Sequence, residues 1–376
     1  MNYALLAPQS RRFRHRYPRG RSGFSLVELL TVIFIISLLI AILIPSLNSA
    51  RNAAKKITTA KEIDSIKIGL EMFKNENGSD FPQSNGYPPS FAHPPLGSFA
   101  FDSYLGQFPF HDSKPVVYGA HWLAAMLMGV DQQGYIKRSS VPRRTPPLEP
   151  PQWYKPDPFG DGKTVIERAN LYLTPETTPT RKTKELPGRP PQHLAELFPN
   201  YDKMQDLPVI VDAFDQPILY YVSNTSGKTT NMLEDKREPN NEYGTTAQTK
   251  GPPFYFQQDN IGFTGDKVID AEQGTTNGWD FGSTGAKHTI ALSGADLTAQ
   301  DLIDPDPTKR NTFARYIVDR KVYAKMLADT ERGGSVEPAT PLRPVNADTY
   351  LLISAGVDGL FGTTDDVSNI PPFTEQ

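Results

Sequence analysis

"GFSLVELLTVIFIISLLIAILIP", residues 23–45, decides how the rest of the chain is read. Between Phe24 and Ile44 it is almost wholly apolar and carries one charge, Glu28. As a helix these residues rise ~31 Å, which matches the hydrocarbon thickness of a bilayer. A carboxylate at that depth costs at least ~2.5 kcal/mol, and residues that bear the cost tend to be functional. An ordinary secretory signal has an apolar core of only ~7–15 residues with a small-x-small cleavage site after it. This run is longer, and "IPSLNSARNA" (44–53) offers a poor site. A plain signal anchor fits the length but gives Glu28 no purpose. The third reading is a segment cut before the apolar run instead of after it.

The flanks bear on orientation. Residues 1–23 form a basic leader with Arg11, Arg12, Arg14, Arg16, Arg19 and Arg21 and no acid. Positive charge ahead of an apolar span keeps the N-terminus cytoplasmic. Arg51, Lys55 and Lys56 lie on the far side but are outnumbered. The expected topology is a single membrane pass, N-terminus in and C-terminal part out.

In combination these residues resemble the N-terminus of type IV pilins and the major pseudopilins of type II secretion. That pattern is a basic leader ending in Gly, then Phe, then Glu as the fifth mature residue, then an unbroken apolar stretch. The resemblance implies cleavage between Gly23 and Phe24 by a prepilin peptidase, and N-methylation of Phe24. It implies that Glu28 meets the Phe24 amine of a neighbouring subunit in a filament. Physics agrees with such a pairing: a misregistered subunit would leave two unpaired charges in an apolar bundle. Buried polar pairs are known to fix register in helical assemblies. The implied partners are further copies of the chain, the peptidase, other pseudopilins, inner-membrane secretion proteins and, before assembly, membrane lipid.

Composition narrows the rest. The chain has 376 residues and a net charge of −3, so nothing draws it in bulk to nucleic acid. It has no cysteine, which excludes disulfides and thiolate metal sites and leaves a metal ion as one other staple. Its 35 prolines predict much loop. The amphipathic continuation 45–77 places Ala53, Ile57, Ala60, Ile63, Ile66, Leu70 and Phe73 at steps of three and four. Asn77 and Gly78 suit a left-handed cap, and Pro45 predicts a kink or an opened turn.

Residues 78–206 read as a Pro-rich insertion with short helices at 119–129 and 189–198. "LPVIVDAFDQPILYYVS" (207–223) reads as a β-hairpin, similar to one in the major pseudopilins, with Asp212, Phe214, Pro217 and Tyr220 in matching places. There Asp215-Gln216 replaces a usual Gly-Asn. Residues 224–347 read as a second insertion, with "PPFYFQQ" (252–258) as a strand and a helix over 312–327 capped by Asn311.

The last segment, 348–376, holds a strand and an acidic loop, "SAGVDGLFGTTDDVSN" (354–369). Calcium takes six to eight oxygens from carboxylates and carbonyls, and glycines let a loop turn its carbonyls inward. By chemistry alone a calcium site and a solvated acidic turn are equally good readings. The major pseudopilins end in a similar loop that binds calcium. Matched residue by residue, the resemblance implies carboxylates from Asp358, Asp365 and Asp366 and backbone carbonyls from Ala355 and Thr363. No histidine pair has zinc-ligand spacing, and no nucleophile elbow, P-loop or dinucleotide fingerprint occurs, so an enzyme is not expected.

The expected fold is α+β: a long N-terminal helix, half membrane and half amphipathic, against a small antiparallel sheet, with loop-rich insertions decorating it. The expected function is a pseudopilin that polymerises into a type II secretion-like pseudopilus. A type IV pilin or minor tip pilin is the alternative within the class. A membrane-anchored binding module is the alternative outside it.

Overall fold

The computed structural model describes residues 25–90, 117–137, 167–191, 194, 201–225, 227, 254–265, 278–281, 288, 290, 313–317, 328 and 344–370. The chain falls into two compact units, Met1–Arg51 and Asn52–Gln376. Among the described residues the architecture is α+β: one long helix, shorter helices and two small antiparallel sheets.

Helix α1 (Leu26–Asn77) runs through Pro45. In the first unit every side chain from Leu26 to Leu47 is exposed, an apolar surface of the length a bilayer requires.

In the second unit α1 buries Thr59, Ile63, Ile66, Gly69, Leu70, Phe73 and Asn77. The expected stripe holds from Ile63 onward and fails before it, because Ala53, Ile57 and Ala60 are exposed. What faces the protein there is polar. The Ala213 amide donates to Thr59 Oγ1 at 3.3 Å, and the Lys55 ammonium lies 5.0 Å from the centre of the Phe214 ring. The expected left-handed cap is also absent: Asn77 has φ −124°, and the chain tightens into a 3-10 turn at Gly78–Asp80. The Asn77 side chain instead accepts from Tyr135 OH and donates to Tyr172 OH, tying the helix end to two remote segments. Left-handed backbone comes later, at Asn85 and Gly86.

Helix α2 (Gly119–Met128) forms where the sequence predicts one, and all ten of its residues are buried. A helix that is apolar all round belongs inside, and α2 lies against the hairpin strands described next. It has no side-chain cap of its own. Asn260 supplies one from a distance, accepting from the Ala120 amide at 3.0 Å and donating to the Tyr220 carbonyl at 2.8 Å. A side chain at Gly119 would place its Cβ 2.0 Å from that carbonyl, so only glycine allows this approach. The stretch read as a decorating insertion therefore supplies the centre of the core.

The hairpin is present but divides between two sheets. Strand β1 (Thr180–Lys182) pairs with β2 (Pro208–Ile210), so the first insertion also adds a strand. Strand β3 (Leu219–Val222) pairs with β4 (Tyr350–Ser354), and β4 with β5 (Val367–Ser368), all antiparallel. A bridge from Val211 to Pro217 joins the hairpin arms. Asp215 stands where the resemblance has glycine and takes φ +65°. The buried Asp212 holds this turn, its carboxylate accepting from the Phe214 and Gln216 amides and from the Ser354 hydroxyl of β4. The outer edge of β3 is closed by side chains: Val222 donates to Ser90 Oγ at 2.8 Å, and Asn260 takes the Tyr220 carbonyl. Covering an edge in this way prevents further strand addition. Phe254–Phe256, expected as a strand, precedes single helical turns at Gln257–Asn260 and Ile261–Thr264. The expected helix at 312–327 is seen as Phe313–Ile317. Most of 189–198, residues 318–327 and Asn311 lie outside the described residues.

Glu62, beside Asp212, has a buried oxygen without a hydrogen-bond partner. Burial first, and then the Asp212 charge, push its carboxyl up to about 7. The folded form therefore binds this proton more tightly than the unfolded form, and a cost appears as pH rises from the ordinary 4.5 through 7. Glu62→Gln is expected to match wild type at pH 5 and to exceed it at pH 8. The gain should be about 1 kcal/mol, because a half-exposed group is screened. Thermal melts at the two pH values check this; a variant no more stable at pH 8 would count against a buried charge at Glu62.

Candidate functional site

Two sites come from the sequence. At the first, Gly23 and Phe24 lie outside the described residues, while Glu28 sits in the first turn of α1. Its carboxylate has a partner that sequence reasoning missed. The Ser25 amide donates to Glu28 Oε2 at 2.8 Å, and the Glu28 amide donates to Ser25 Oγ at 3.1 Å. This reciprocal pair satisfies two of the donors that a helix start leaves open. Its signature, Ser-x-x-Glu, is in the sequence. Within a single chain, then, Glu28 already has a local role.

The second site is the loop between β4 and β5. Three glycines turn it, Gly356, Gly359 and Gly362, with φ of +66°, +73° and +94°. At Gly356 the need is steric as well, since a Cβ would lie 2.4 Å from the Asp365 carbonyl. Asp365 is drawn inward: one oxygen accepts from the amides of Val357 and Asp358 at 2.6 and 3.1 Å, the other from the Thr363 hydroxyl at 2.6 Å. Asp358 accepts from the Leu360 amide at 2.8 Å and lies within hydrogen-bond reach of Asp365. Burial, and then the Asp365 charge, push the Asp358 carboxyl up. Burial pushes Asp365 up as well, but the Thr363 hydroxyl and the loop amides outweigh it and hold it low. The two carboxyls thus lie side by side, one pushed up and one held down.

Asp366 is placed differently. Its oxygens accept from the Gly362 and Thr363 amides at 2.8 and 3.2 Å and from Tyr316 OH at 2.9 Å. Burial pushes its carboxyl up to about 7. Tyr316 belongs to the second insertion, and nothing in its local sequence announced this contact. As posed, Asp366 braces the loop. Among the described residues no group of three or more His, Asp or Glu side chains is arranged around a common metal position. Asp358 and Asp365 are neighbouring carboxyls, and Ala355 and Thr363 lie in the same loop.

Comparison with known proteins bears on the first site. Residues 18–44 match the prokaryotic N-terminal methylation motif. The chain is 45% identical over 62 residues to a type IV wide pilus major component of Thermus thermophilus, covering 16% of this chain and 47% of that protein. It is 34% identical over 59 residues to the type II secretion system core protein G of Pseudomonas aeruginosa, covering 16% of this chain and 42% of that protein. The chain thus spans about half the length of the curated relatives it matches. No solved structure matches it. The N-terminal segment is similar to that of a type IV pilus component and to that of a type II secretion protein.

Proposed function

We propose that the chain is a filament subunit. It waits in the inner membrane with its N-terminus cytoplasmic, is cut between Gly23 and Phe24, methylated on Phe24, and polymerised through α1 into a type II secretion-like pseudopilus. The methylation motif at residues 18–44 carries this reading. The exposed apolar face of Leu26–Leu47 supports it, since it needs lipid or other helices to cover it. The reading as a type IV pilin keeps its place beside it, because one relative is a pilus major component. No catalytic role is proposed.

Processing is the direct test. Protein taken from its native membrane should begin at Phe24, about 14 Da heavier than the plain residue by mass spectrometry. Gly23→Val should leave the leader attached on essentially every molecule, because a branched side chain keeps the peptidase from the backbone. A mature terminus near residue 50 would sink the pilin reading and leave an ordinary signal.

We also propose that the C-terminal loop binds calcium, with Asp358 and Asp365 as carboxylate ligands, the Ala355 and Thr363 carbonyls beside them, and Asp366 bracing the loop. Bound to the folded form alone, calcium stabilises by about 2.7 kcal/mol at a hundredfold excess over Kd. The melting temperature of the full chain in detergent should rise with calcium and rise less with magnesium, which wants a smaller octahedral shell. Asp365→Ala and Asp358→Ala should abolish the response. A melt indifferent to millimolar calcium returns the loop to a solvated acidic turn.

A further inference from the structure

The loop between β4 and β5 is anchored at its ends by strand pairing, yet its middle is held by something else. Phe361 lies between Asp358 and Asp365 in sequence and is fully buried. Its amide donates to His288 Nδ1 at 3.1 Å, and its carbonyl accepts from the Ile290 amide at 3.4 Å. Its ring packs against Phe281 and His288, at 6.0 and 5.3 Å between ring centres. All three of those residues belong to the second insertion.

His288 is committed on both sides. Its Nε2 lies 2.8 Å from the Trp279 carbonyl, which can only accept, so that nitrogen carries the hydrogen. Nδ1 is then a lone-pair acceptor, as the Phe361 amide requires. The imidazolium would turn a second N–H against that amide, so the neutral ring alone satisfies both bonds. Trp279 is fixed in turn, its indole donating to the Pro187 carbonyl at 2.8 Å and its amide to the Phe263 carbonyl at 3.0 Å. Gly278 leaves room for the imidazole, since a Cβ there would lie 2.8 Å from His288 Cδ2.

We propose that His288 is a positioning residue: it pins Phe361, sets the spacing of Asp358 and Asp365, and so links cation binding in the loop to docking of the second insertion. The cation half of this inference rests on the calcium reading above. The pinning half stands without it.

The experiment uses the full chain in detergent micelles, with hydrogen exchange read in chelator and calcium binding read by titration calorimetry. His288→Leu removes both bonds. His288→Asn keeps an acceptor near the Nδ1 position. In chelator, the Phe361 amide of His288→Leu should exchange at least tenfold faster than in wild type, while β4 amides keep their protection. His288→Asn should recover most of that protection. Calcium affinity should fall at least tenfold in His288→Leu and much less in His288→Asn. Unchanged Phe361 exchange in the Leu variant overturns the proposal, and so does loss of protection spreading into β4 in both variants. If wild type binds no calcium while Phe361 exchange behaves as expected, the calcium reading falls and the pin stands.

Discussion

Glu28→Val is expected to leave the subunit in the membrane, processed at Phe24, and to cut filament yield below a tenth of wild type. The apolar run gains by the change, since a carboxylate no longer has to be buried. Two roles for Glu28 compete, and their sizes differ. The Ser25–Glu28 pair seen at the start of α1 is a helix cap, and losing a cap costs ~0.5–2 kcal/mol. Removing one partner of a buried ion pair between subunits costs ~3–5 kcal/mol, because the other charge is stranded. The same loss recurs at every subunit added, so the inter-subunit effect dominates. Glu28→Gln separates the two, because glutamine completes a capping box as well as glutamate does but carries no charge. The charge reading expects Gln and Val to fail alike, with sheared filaments counted by electron microscopy or sedimentation. A Gln variant that assembles at the wild-type level would reduce Glu28 to a local cap.

Trp122→Ala should damage the second unit severely, although residue 122 lies within 78–206, a stretch that reads as a Pro-rich insertion. Trp122 is fully buried within α2, among residues buried as completely as itself. Truncating such a side chain costs ~3–5 kcal/mol, against a total stability of ~5–15 kcal/mol for a folded domain. The melting temperature should drop on the order of 10 °C, with early cleavage by added protease. Leu171→Ala, at a half-exposed site, is the contrast and should stay within ~0.5 kcal/mol. Equal, small effects at both positions would mean that the Pro-rich stretch is ornament after all.

Sequence alone determined the elements whose physics is local. The apolar run and its single charge specify a helix of membrane length whatever surrounds it, so α1 was legible at once. "GAHWLAAMLMG" announced α2 by lacking any charged face, and Asp212 and Pro217 announced the hairpin turn. The glycines of the C-terminal loop announced its backbone reversals, and all three take positive φ. Even the Ser25–Glu28 cap is a four-residue signature that could have been read.

The tertiary structure decided whatever depends on residues far apart in the chain. On a helical wheel Thr59 falls on the face of Ile63, Ile66, Leu70 and Phe73, and Ile57 falls on the opposite side. What the wheel does not show is the partner: the hairpin turn, 154 residues away, presents the Ala213 amide to Thr59 and the Phe214 ring to Lys55. Asn77 looked like a left-handed cap, but two tyrosines 58 and 95 residues away claim its side chain. The first insertion became core because α2 needed a sheet to cover it, and the edge of β3 is closed by Ser90 from the first insertion and Asn260 from the second. His288 and Tyr316 reach the acidic loop from 73 and 50 residues away. Hydrogen bonds that close such long loops leave no periodicity and no spacing in the sequence; they exist only once the chain has collapsed around a common core.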